Sequence, residues 1–73
     1  MAGMTYSLDE IQVRALLKAL NLTQVGAAAE MGLHKQHLHR LIVGHIEPRF
    51  ETLSAIARVL KVDDAHSLLV QNG

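Results

Sequence analysis

Seventy-three residues, 49% of them apolar, suffice for one domain that folds alone and exclude a disordered chain. The chain has no cysteine, which excludes a disulfide framework and any thiolate metal site, and a reducing cytoplasm is the expected compartment. Seven basic residues balance seven acidic ones, so attraction to a charged partner has to come from one face, not from the net charge.

No apolar run approaches the length of a membrane span, and Met1–Thr5 lacks the charged and apolar regions of a leader. Ser7-Leu-Asp-Glu10 has the form of a capping box, with Ser7 as N-cap, and predicts a first helix over about 7–20. Val13, Leu16, Leu17 and Leu20 give that helix a core stripe. Leu8, Ile11 and Ala15 fall on nearly the opposite side, more apolar surface than one core contact uses. Asn21 ends the helix, being tolerant of the left-handed conformation. Thr23 caps a second helix over about 24–31, in which Ala27, Ala28 and Ala29 allow close approach of a neighbour. Gly26 weakens it by about 1 kcal/mol relative to alanine.

Gly32 supplies a positive-φ turn, and His34 then caps a third helix over about 35–43 with Leu38, Leu41 and Ile42 inward. Gly44 terminates it, and Pro48 stands where a fourth helix, about 49–60, begins. Phe50, Leu53, Ile56, Ala57 and Leu60 form the apolar face of that helix. Asp63 caps a last short helix, about 63–70, with Ala65, Leu68 and Leu69 inward, after which Gln71-Asn-Gly73 frays. The expected architecture is all-α, one compact domain over 1–73 with five helices.

Residues 22–44 therefore read as helix, glycine turn and helix, with an outward face of hydrogen-bonding side chains on the second helix. With their flanks, Leu22-Thr-Gln24, Ala28, Met31-Gly-Leu33, Leu38, Arg40-Leu41, Gly44, Pro48, Glu51-Thr-Leu53, Ile56-Ala57, Leu60 and Val62, they resemble the helix-turn-helix domain of the Cro and phage-repressor (XRE-type) family. The resemblance spans about residues 8–70. It implies a five-helix lambda-repressor-like fold, binding to operator DNA as a homodimer, and regulation of transcription, usually repression, in a bacterium or phage. Two features depart from the pattern. Ile42 and Val43 stand where such domains commonly carry a Glu and a basic or polar residue, and a histidine cluster replaces the usual Ser, Gln, Arg or Asn. Both bear on the operator sequence more than on the fold.

In the family the first turn of the third helix contacts base edges, which carries the reading role to Lys35, Gln36 and His39. The chemistry agrees: Gln pairs with adenine N6 and N7, Lys donates to guanine O6 and N7. The resemblance also carries a phosphate contact to Gln24, at a helix N-terminus suited to an anion. Arg40, Arg49, His37 and His45 are the other candidate phosphate ligands. Lys35, Arg40 and Arg49 face only Glu47 between residues 33 and 49, so one face is positive in a neutral molecule. Protonated histidines beside phosphates would make binding tighten as pH falls through about 6.5, where a free imidazole titrates.

His34 with His37, or His37 with His45, invites a metal reading. Zinc wants three or four ligands and no cysteine or nearby acid completes a set, so neither metal nor other cofactor is expected. The chain also lacks paired carboxylates, an activated nucleophile or a phosphate loop, and an enzyme is not expected. The resemblance places a dimer contact at Pro48, Arg49, Phe50 and Leu69. The competing reading is a protein-interaction module of the same fold, antitoxin-like or a co-regulator. It would use Leu8, Ile11 and Ala15 with Ile42 and Val43 as its contact surface.

Overall fold

A computed structural model describes residues 5–72 of the chain; Met1 to Met4, where the leader reading chiefly falls, and Gly73 lie outside the described residues. In chain order the elements are β1 (Thr5–Leu8), α1 (Glu10–Ala19), α2 (Gln24–Met31), α3 (Lys35–Ile42) and α4 (Phe50–Val59). A single 3-10 turn (Ala65–Leu68) and β2 (Leu69–Asn72) follow. The expectation of an all-α, five-helix domain is thus corrected: among the described residues four α-helices carry a two-stranded antiparallel sheet. Leu8 pairs with Leu69, Ser7 with Val70 and Tyr6 with Gln71.

The start of α1 explains half of that correction. Asp9, not Ser7, is the N-cap, its carboxylate accepting from the Gln12 N–H at 3.2 Å. The Asp9 N–H in turn donates to the Leu68 carbonyl at 2.7 Å. Beginning the helix two residues later releases Ser7 and Leu8 into a strand, where both are buried. The surplus apolar side assigned to the first helix is smaller than expected, because Leu8 is a core residue. Ile11 and Ala15 remain exposed.

The other half lies at the chain's end. Asp64, not Asp63, caps the turn at Ala65, accepting from the His66 N–H at 3.1 Å. Four residues later the backbone is extended and bonded to β1, so Gln71 and Asn72 belong to a strand. Leu68 is fully buried; Leu69 is half-buried in the sheet.

All four helices end in one motif. After α1, Leu22 N–H donates to the Leu17 carbonyl at 2.8 Å and Asn21 N–H to that of Lys18 at 3.1 Å. The same pair of bonds closes α2 through Leu33 and Gly32, α3 through His45 and Gly44, and α4 through Val62 and Lys61. This is the Schellman arrangement, which needs a left-handed residue after the helix. Asn21 (φ 60°), Gly32 (74°), Gly44 (84°) and Lys61 (59°) supply it. Three of these were readable as terminators; Lys61 carries no such signal.

The core is shared by β1, the four helices and the 3-10 turn, with Val13, Leu38, Leu41, Ile42, Ile56, Leu60 and Leu68 as its largest fully buried side chains. Ala27 and Ala28 are buried, small enough for α3 and α4 both to pack on α2. Ile42 is fully buried, which removes it from the contact surface of the interaction-module reading. A charged residue there would have no partner in an apolar core. Gly26 is the third residue of α2. A Cβ built on it would stand 3.2 Å from Thr23 Oγ1, the oxygen that caps α2 by accepting the Gly26 N–H at 3.0 Å. Side chains at this third helical position coexist with such caps elsewhere, so the contact is tight without requiring glycine.

Candidate nucleic-acid interface

α3 owes its amphipathic form to its spacing. Leu38, Leu41 and Ile42 are wholly buried, while Lys35, Gln36, His37, His39 and Arg40 are all exposed. The inward residues clamp the helix on α2 and β1 and fix its rotation about its axis. That rotation brings Lys35, Gln36, His39 and Arg40 together around one shallow hollow of about 310 Å³. The three candidate base readers and one candidate phosphate ligand thus share a surface. His37 does not line it.

The first turn of α3 is held by His34, whose Nδ1 accepts from the Gln36 N–H at 3.2 Å. A histidine cap works only with that nitrogen unprotonated. Gln24, half-buried at the start of α2, connects the helices: its Oε1 lies 3.4 Å from His39 Nδ1. It also lines a second hollow, of about 400 Å³, with Arg14, Lys18, Asn21, Leu22 and Thr23. Arg14 there is paired with Glu10 at 2.9 Å, about half exposed, a surface pair of small energetic weight.

Arg14 and Lys18 are charged neighbours of Gln24 that sequence reasoning did not single out. Read on α1 alone they are ordinary solvated charges. Only the packing of α1 beside the N-terminus of α2 sets them around Gln24. The remaining candidate phosphate ligands, His45 and Arg49, are exposed in the connection from α3 to α4, with Arg49 at the N-cap of α4.

Elsewhere, Pro48, Phe50 and Leu69 line a groove of about 610 Å³ with Tyr6, Glu47, Leu53 and His66. Phe50 is 73% exposed, unusual for the largest apolar side chain in the sequence. Three of the four residues expected at a dimer contact therefore meet; Arg49 is exposed nearby but does not line the groove. Tyr6 is an addition, brought in by the unforeseen β1, and its N–H donates to a Glu47 carboxylate oxygen at 3.1 Å. Among the described residues no group of three His, Cys, Asp or Glu side chains is placed to hold a metal ion. Also among them, no helix is long and apolar enough to cross a membrane.

Comparison with known proteins agrees with this geometry. No curated protein matches the chain. The structure is similar to that of the P22 c2 repressor, solved in complex with the synthetic operator 9T in the presence of Tl+. The TM-score is 0.75 at 22% identity, over 85% of this chain and 92% of that one, a likeness that shows the fold. The helix-turn-helix family model matches residues 13–65, from the middle of α1 to the 3-10 turn. The chain belongs to the XRE-type helix-turn-helix family of DNA-binding regulators, the group that its α2–turn–α3 residues resemble.

Proposed function

We propose that the protein is a transcriptional repressor that binds an inverted-repeat operator as a homodimer, with α3 in the major groove. The observation that carries this reading is the hollow of Lys35, Gln36, His39 and Arg40 on a helix whose inner face is wholly buried. Such a helix cannot rotate, and all that it offers a partner is hydrogen-bonding chemistry suited to base edges and phosphates. Lys35, Gln36 and His39 read bases; Arg40 holds the backbone with Gln24, His37, His45 and Arg49, and Lys18, beside Gln24, adds a further charge. That the P22 c2 repressor was solved on an operator supports the assignment.

One module covers little DNA, so two copies about 34 Å apart read a two-fold site. The apolar groove of Tyr6, Pro48, Phe50 and Leu69 is the contact that pairs them. The second reading, a protein-interaction module, is favoured by Ile11, which stands 83% exposed on α1 beside exposed Ala15. A gel-shift titration with random-sequence duplex at low salt separates the two. The repressor reading predicts a shifted complex at micromolar protein that dissolves as salt is added; no complex at that concentration leaves the interaction module.

A further inference from the structure

We infer that His39 is a proton-dependent base reader, held in one tautomer by Gln24, so that the operator base it prefers changes with its protonation. The inference rests on the DNA-reading role proposed for α3, and it starts from the contact between His39 Nδ1 and Gln24 Oε1 at 3.4 Å. With the Gln24 amide oxygen turned to the ring, Nδ1 carries the hydrogen, because a carbonyl oxygen can only accept. In the neutral ring the other nitrogen, Nε2, is then a pure acceptor, and ring geometry aims it away from Gln24. Proton uptake converts Nε2 into a donor while the bond from Nδ1 to Gln24 is kept. Gln24 thus sets the direction of the change: neutral His39 accepts outward and charged His39 donates outward.

The major groove distinguishes those two states. An acceptor finds a partner in the adenine N6 or cytosine N4 amino group, whereas a donor finds one in guanine O6 or N7. The charges that face His39 are positive. Lys35 and Arg40 share its hollow on α3. α2 contributes the uncharged Gln24, and α1 contributes Lys18 and Arg14, the latter paired with Glu10, in the second hollow that Gln24 lines. A bound duplex brings phosphates against this group. His37 and His45 do not line this hollow, and a charge on either acts on the backbone, whereas a charged His34 loses its cap on the Gln36 N–H and slackens the first turn of α3, an effect that His39→Gln leaves in place.

The test is selection of bound duplexes from a randomised pool by the whole chain at about pH 8 and about pH 5.5. The expected result is a half-site in which one position changes from adenine or cytosine to guanine as pH falls, each preferred about fivefold, the value of one net hydrogen bond. His39→Gln, exposed and unable to titrate, should keep one base there at both pH values. Gln24→Ala frees the tautomer, so its preference at the higher pH should collapse while the guanine preference at the lower pH stays. A wild-type position that is the same at both pH values overturns the inference and leaves the operator reading standing, as does a change that persists in His39→Gln. A Gln24→Ala variant that keeps the wild-type preference at the higher pH removes Gln24 from it. A pool with no enriched motif at either pH overturns the operator reading itself, and the inference with it.

Discussion

Gln36 and Arg40 sit four residues apart on one hollow yet should fail in different ways when truncated. Gln36→Ala removes a base partner and should cost about 1–3 kcal/mol on the preferred operator, relaxing the choice at one base pair. Arg40→Ala removes a backbone charge, so binding to all duplexes should weaken and the slope of log K against log salt should fall by about one. Fluorescence anisotropy on operator and scrambled duplexes over a salt series measures both; equal losses on the two duplexes for both variants would erase the division of roles. Most of this surface was legible in the residues themselves, because hydrogen-bonding side chains opposite Leu38, Leu41 and Ile42 define an outward face without any knowledge of tertiary packing. Arg14 and Lys18 were not legible, since their nearness to Gln24 is a property of how α1 and α2 meet.

Local capping chemistry decided where α2 and α3 begin and end. Thr23 and His34 are followed by helices whose first residues are those expected, and Gly32 and Gly44 adopt the left-handed turn that ends each. Replacing His34 by Ala removes the acceptor for the Gln36 N–H and should destabilise the protein by about 0.5–2 kcal/mol, whereas His34→Ser should retain or improve the cap. Urea unfolding of the two variants checks this, and equal stability would mean that the cap contributes nothing. Lys61 supplies the opposite case. Held at φ 59°, it bears the steric cost of a left-handed side chain, and Lys61→Gly should raise stability by about 0.5–1 kcal/mol, the relief being partly offset by the freer unfolded chain. A lowered melting temperature would show that the lysine earns its place through contacts of its own. The strands escaped sequence reading for a related reason. Ser7 and Asp9 are both good caps, and only the bond from Asp9 to the Leu68 carbonyl, across the length of the chain, selects Asp9 and turns Leu8 inward.

At the scale of the whole molecule, zero formal net charge is reconciled with a polyanionic partner by separation of the charges. Lys35, Arg40 and Arg49 lie on or beside the α3 face, while Asp9, Asp63 and Asp64 lie in the segments that lead into α1 and the 3-10 turn. The apolar groove of Tyr6, Phe50 and Leu69 gives a second prediction at this scale. Phe50→Glu should leave a folded monomer and weaken operator binding, because one half-site alone supplies fewer phosphate contacts. Sedimentation of wild type and variant with operator present reads the stoichiometry, and a variant that still binds two to a site would move the dimer contact elsewhere. The central claim, that α3 is the surface that meets DNA, is tested most directly by following backbone amide resonances while duplex is added. The account predicts the largest shifts at Gln24, Lys35, Gln36, His39 and Arg40, with Ile11 and Ala15 unmoved. Shifts centred on Ile11 and Ala15, or none on α3 at saturating duplex, would contradict it.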